Sequence, residues 1–132
     1  MKRSFSVLLA EANMVLRQKI ASVLAGDESI WCVVQVSERE GLERGASRLQ
    51  PDFILADWSV LRDPETVKFL RRCSPNSRIV ALTDSAIAPY LDAAKRLGLD
   101  GCMEKGCVGD GLREHLSLME NNTTEPKKGE QS

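Results

Sequence analysis

At 132 residues the chain fits one domain, is too short for two of ordinary size, and is long enough to bury a core without disulfides or a metal. Aromatic residues are only 5% of it, so that core must be aliphatic, and a net charge of −1 provides no global field for nucleic acid or an anionic membrane surface. The N-terminus is basic and polar, and the apolar run Val7 to Ala10 is far too short to cross a bilayer, so a cytoplasmic protein is expected.

Ser6 to Ala10 is a short apolar run that reads as a buried strand. From Met14 to Leu24 the apolar positions Val15, Leu16, Ile20, Val23 and Leu24 predict one buried helical face, with Gly26 as the stop. Ile30 to Val36 is rich in β-branched residues and predicts a second strand. Ser37 then suits the N-cap of a helix whose inner face includes Leu42, Ala46 and Leu49, closed by Pro51. Phe53 to Ala56 is a third apolar run, ending at Asp57.

Asp63-Pro64-Glu65 predicts a helix start, with Asp63 at the N-cap, Pro64 at the first helical position and Glu65 at the positive end of the dipole. Val67, Phe69 and Leu70 supply the apolar surface of that helix. Ser74-Pro75-Asn76 is a turn, and Arg78 to Leu82 a fourth strand ending at Thr83. Pro89 opens a helix running to Leu97, stopped by Gly98. Leu99 to Met103 is a fifth strand before Lys105. Val108 to Glu120 is the last helix, turning Leu112, Leu116 and Met119 inward. Residues 1–120 thus form the predicted domain, and the polar segment 121–132 is expected to be a disordered tail.

Cys32, Cys73, Cys102 and Cys107 contain no CxxC pair, and His115 is remote from them in sequence, which argues against a zinc site. They are expected to be reduced and mostly buried, with Cys102 and Cys107 as packing residues and His115 at the surface or its boundary. Trp58 reads as a loop aromatic. The pairs Arg71-Arg72 and Lys127-Lys128 read as ordinary solvated charge.

Alternation of strand and helix implies an α/β fold with a parallel sheet covered on both faces. Ligands of such sheets bind beyond the carboxyl ends of the strands, where strand order reverses. At those ends stand Glu11, Asp57, Thr83 and Lys105: two carboxylates, a hydroxyl and an ammonium. Each alone means little; their joint placement is the signal.

With the segments VLLAEANMVLR, PDFILADWS, ALTD and GLDGCMEKG, the chain resembles the receiver domain of bacterial response regulators from about Phe5 to Met119. The resemblance implies a flavodoxin-like (βα)5 doubly wound sheet of strand order 2-1-3-4-5. It implies that Asp57 accepts a phosphoryl group from a sensor histidine kinase or phosphotransfer protein. Thr83 would hydrogen-bond the phosphoryl oxygens and Lys105 would neutralise them. It also implies Mg²⁺, for which Glu11, Asp57 and the backbone carbonyl of Ser59 are the candidate oxygens, since Mg²⁺ takes one or two carboxylates with waters. Output would go to a downstream protein through the last two helices and strand five. Pairing into a homodimer is left open.

The family has two adjacent acidic residues after strand one, and here the pair reads Glu11-Ala12, so Mg²⁺ affinity is expected to be weak. Asn13 offers an amide oxygen as a lesser substitute. Cys102 stands where the family often has an aromatic switch, Gly106 replaces a proline, and Leu61 and Glu65 replace the usual Pro and Gly of the loop after Asp57. Two functions compete: a single-domain phosphoacceptor receiver, and a phosphorylation-independent pseudo-receiver that binds protein. Neither is an enzyme beyond self-catalysed phosphoryl transfer and hydrolysis. A flavin carrier lacks its phosphate loop in Glu11-Ala12-Asn13, and no helix-turn-helix or basic face is present for DNA.

Overall fold

A computed structural model describes the backbone of residues 4–129 and the side chains through Met119. Five strands form one parallel sheet in the order β2-β1-β3-β4-β5: β1 (Phe5–Ala10), β2 (Ile30–Val36), β3 (Phe53–Asp57), β4 (Arg78–Thr83) and β5 (Gly101–Glu104). The expected doubly wound, flavodoxin-like sheet is therefore present. Helices α1 (Met14–Ala25), α2 (Arg39–Leu49), α4 (Pro64–Cys73) and α5 (Leu91–Leu97) make the crossovers, α6 (Val108–Gly129) follows β5, and a single turn, α3 (Trp58–Leu61), follows β3.

Alternate residues of each strand point to opposite faces, and the two halves of the core follow that rule. Val7, Leu9, Phe53, Leu55, Val80, Leu82 and Met103 pack with Ile20 and Leu24 of α1 and Leu112 and Leu116 of α6. Leu8, Ala10, Ile54, Ala56, Ile79, Ala81 and Cys102 pack with Leu42 and Ala46 of α2, Val67 and Leu70 of α4 and Ala94 of α5. The central strands are largely apolar because both their faces are covered. Each large aliphatic side chain buried this way contributes about 1.5–3 kcal/mol.

Several expected details hold. Asp63 caps α4 by accepting the Glu65 N–H at 3.0 Å, with Pro64 in the first turn, and Gly98 ends α5 at φ 85°. Others need correction. Val15 and Val23 of α1 are exposed, because they share a stripe with Lys19, whereas Ile20, Ala21 and Leu24 face the sheet. Leu49 of α2 is exposed too. The inner stripe of α2 is instead Gly41, Leu42, Gly45 and Ala46: a Cβ on Gly41 would stand 3.0 Å from the Val36 Cβ, and one on Gly45 3.1 Å from the Leu8 methyls. Glu38 rather than Ser37 sits at the N-cap of α2 and makes no side-chain cap bond.

His115 is buried at 7% exposure, where Gly101 leaves room for its ring, and its Nδ1 accepts from Arg78 Nε at 3.1 Å. Of the four cysteines only Cys102 is buried; Cys32 and Cys73 are half-buried, and Cys107, in the turn after β5, is exposed rather than packed. The backbone of α6 runs on through Gly129, over most of the expected disordered tail, with no break at residue 120. Residues 130–132 lie outside the described residues. No helix among the described residues is long and apolar enough to cross a membrane.

Candidate functional site

The carboxyl ends of β1, β3, β4 and β5 converge beside the switch between the two directions of winding, where β1 and β3 are neighbours. Glu11 follows β1 directly. Its backbone N–H donates to the Val36 carbonyl at 3.1 Å, and Arg17 Nη1 donates to its carbonyl at 2.9 Å, so the loop is pinned at both peptide groups. Its side chain turns inward, 6% exposed, and Oε2 accepts the Asn13 N–H at 3.0 Å. The Asn13 amide oxygen caps α1 by accepting the Leu16 N–H at 2.9 Å, so it is engaged in holding the helix rather than aimed at the site.

Asp57 ends β3 and serves as the N-cap of α3. Its Oδ2 accepts the Ser59 N–H at 2.9 Å and the Ser59 hydroxyl in a short bond. Oδ1 faces Lys105, which arrives from the 3-10 turn after β5 (Lys105–Cys107) with its side chain only 9% exposed. The Lys105 ammonium contacts three carboxylates: Asp57 Oδ1, Glu11 Oε1 at 2.8 Å and Asp84 Oδ1 at 3.1 Å. Glu11 Oε1 is fully buried and has no well-aligned hydrogen-bond donor among the described residues, so its ion pair with Lys105 compensates its burial.

Burial raises the Asp57 pKa, but the Lys105 contact and the two Ser59 bonds outweigh it, and the net value lies below the ordinary carboxyl range. Burial works to lower the Lys105 pKa, and Asp57, Glu11 and Asp84 together push it well above the usual lysine value. At neutral pH the nucleophile candidate is therefore an ionised carboxylate held against a permanent cation.

Thr83 is brought to the same end of the sheet, paired with Glu104 across β4 and β5. Its hydroxyl does not face Asp57; it donates to the Ser85 carbonyl at 2.6 Å. Glu11, Asp57 and Lys105 are thus assembled as expected, and Thr83 is near but otherwise engaged. Sequence reasoning missed Asp84, which directly follows Thr83, and the Ser59 side chain. Ala12 was the available signal for Asp84: a missing acid invites a search of the neighbouring strand ends for a replacement. Trp58, expected as a loop aromatic, lies in α3 and packs edge-on against Tyr90, with ring centroids 5.2 Å apart.

Among the described residues no group of three His, Cys, Asp or Glu side chains is arranged to hold a metal. A hard divalent cation needs less than that, one or two carboxylates with waters. Glu11 Oε1, buried without a well-aligned donor, and Asp57 Oδ1 converge on one cationic point, so the donor set fits such an ion in chemistry.

No family model and no curated protein matches this chain. Solved structures do. The chain is similar to the RcsB response regulator of Salmonella typhimurium, described for DNA interaction, at 19% identity and TM-score 0.75, over 91% of this chain and 61% of that one. It is similar to the REC domain of AraT, a response regulator from Geobacillus stearothermophilus, at 22% identity and TM-score 0.73, covering 93% of this chain and 98% of that one. A response regulator from Burkholderia pseudomallei, solved with a phosphorylated aspartic acid, calcium ion and citrate, matches at 21% identity and TM-score 0.69, over 96% of this chain and 73% of that one. The chain has the fold of a response regulator receiver domain.

Proposed function

We propose that the chain is a phosphoacceptor receiver of two-component signalling, loaded on Asp57 by a sensor histidine kinase or phosphotransfer protein. The observation that carries this reading is the ionised Asp57 carboxylate, 21% exposed, held at a strand end against the buried Lys105 ammonium. A carboxylate is a weak nucleophile, and phosphoryl transfer gains chiefly from positioning and from neutralising the equatorial oxygens. An Asp57 oxygen attacks phosphorus, the donor's P–N bond breaks, and its electron pair stays on the imidazole, which ends neutral because its other ring nitrogen carries a proton throughout. Lys105 then exchanges carboxylate contacts for phosphoryl oxygens.

Thr83 would donate to the same oxygens after giving up its bond to the Ser85 carbonyl, a local change of hydroxyl rotamer. Glu11, Asp57 and the Ser59 carbonyl would hold Mg²⁺, which supplies further charge neutralisation and, with Ala12 in place of a second acid, would be bound weakly. A cavity of about 410 Å³ runs along Leu16, Ile20 and Val23 of α1 and reaches Lys105. Output would pass through α5, β5 and α6 to a downstream protein, in the cytoplasm, and residues 1–120 would be the functional unit.

A second reading is favoured by one observation. Three carboxylates already surround Lys105, and the Thr83 hydroxyl is bonded elsewhere, as suits a pseudo-receiver that binds protein without phosphorylation. Intact-mass measurement with acetyl phosphate separates the two, with Mg²⁺ or chelator and with Asp57→Asn. A metal-dependent phosphoryl adduct absent from Asp57→Asn supports the phosphoacceptor; no adduct even at high Mg²⁺ leaves the pseudo-receiver.

A further inference from the structure

The Lys105 ammonium has three N–H bonds, and three carboxylates stand against it. Any phosphoryl oxygen that is to be neutralised by Lys105 must displace one of them. The three are not equally held. Asp57 is the residue being esterified. Glu11 is 6% exposed, fixed by the Asn13 N–H, and its buried Oε1 would lose its ion pair by leaving Lys105. Asp84 is 88% exposed on its side chain, and water alone can solvate it.

We infer that Asp84 is a competing counter-ion that restrains loading of Asp57, occupying the Lys105 N–H that an incoming phosphoryl oxygen requires and releasing it to do so. This rests on the phosphoacceptor reading. Asp84 touches neither donor nor phosphorus; it is a positioning residue acting through Lys105. The position suits that role: Asp84 directly follows Thr83, the last residue of β4, so the sheet fixes where its side chain starts, and that side chain contacts Lys105 while lying largely in solvent. An exposed ion pair of this kind is worth a few tenths to about 1 kcal/mol, which corresponds to roughly a 2- to 5-fold effect on rate.

The test follows adduct formation by intact mass for the full chain and for Asp84→Asn, Asp84→Glu and Asp57→Asn, at low and high salt. Acetyl phosphate serves as one donor and the less negatively charged phosphoramidate as the other. Asp84→Asn should load about 2- to 5-fold faster with both donors. Asp84→Glu should keep the slow rate, because its carboxylate still reaches the ammonium. Salt should shrink the difference, since the pair is exposed to screening. A faster Asp84→Asn with acetyl phosphate alone overturns the inference, because general repulsion of an anionic donor would then explain it. Adduct on the parent with Asp84→Asn no faster overturns the inference and leaves the phosphoacceptor reading intact. No adduct on any variant overturns both, and adduct on Asp84→Asn with none on the parent supports both.

Discussion

Replacing Lys105 by Met keeps most of the side-chain stem and removes the one cation that Glu11, Asp57 and Asp84 share. Removing one partner of a buried ion pair costs about 3–5 kcal/mol, because the other charge is left uncompensated. Glu11 at 6% exposure bears that cost in full; Asp57 at 21% is partly solvated; Asp84, at 88%, adds little, a few tenths to about 1 kcal/mol. The low end, about 3 kcal/mol at pH 7, is therefore expected. With a urea slope of about 1.5 kcal/mol per molar, the unfolding midpoint should fall by roughly 2 M.

The pH dependence carries the sharper test. In the parent, Asp57 is depressed below the ordinary value of 3.8, so its stabilisation is present above that value and lost only as pH falls through the folded value. In Lys105→Met, Asp57 loses the ammonium, and burial, its largest influence, with repulsion from the facing carboxylate opposes only the two Ser59 bonds and raises its folded value. The penalty is then complete at pH 7 and shrinks as pH falls through the raised value, because the native state takes up a proton. Urea denaturation followed by circular dichroism at pH 7 and pH 5 should show a difference between variant and parent that is smaller at pH 5, by about 1.4 kcal/mol per unit of raised pKa traversed. A Lys105→Met protein within about 0.5 kcal/mol of the parent at pH 7, or equally destabilised at both pH values, refutes the charge-cluster account.

Burial and the neighbouring Arg78 hold the His115 pKa below its ordinary 6.5, against the weaker pull of Glu114 and Asp100. The unfolded chain therefore binds this proton more readily, and stability should decline as pH falls from 6.5 toward the depressed value, a slope lost in His115→Gln when both are titrated in urea. Asn13→Ala removes the cap of α1 and should cost about 1 kcal/mol by thermal or urea unfolding while Asn13→Ser restores it, and neither should change the rate of adduct formation. Native protein should react rapidly with a thiol reagent at Cys107 and slowly at Cys102, whose thiol is buried and shifted upward in pKa, with the two rates converging in denaturant; mass mapping of the labelled residue reads this.

The strands and the start of α4 were legible in the sequence because they depend on local patterns: apolar runs buried on both sides, and a capping trio at Asp63-Pro64-Glu65. The inner faces of α1 and α2 were misread because apolarity was weighed without its neighbours. Val15, Lys19 and Val23 share one stripe, and the lysine marks it as outward-facing; Gly41 and Gly45 are small because the strand residues Val36 and Leu8 lie close beneath them. His115 went inside because Gly101, distant in sequence, vacates its place, a relation that no local pattern encodes. At the site, Glu11, Asp57 and Lys105 were found from strand ends alone. Asp84 and the rotamer of Thr83 depend on how the β4 loop folds back, and that is set by tertiary contacts.

The shared lysine also constrains the order in which such a site decays. While three carboxylates surround one ammonium, losing an acid relieves repulsion, but losing Lys105 leaves buried charge without a partner. Losing one acid is thus tolerated while another stays against the ammonium, whereas losing all of them would strand the buried lysine in its turn. Retention of Lys105 is therefore, taken alone, a mark of a foldable carboxylate cluster, and the activity of the site has to be judged from its acids.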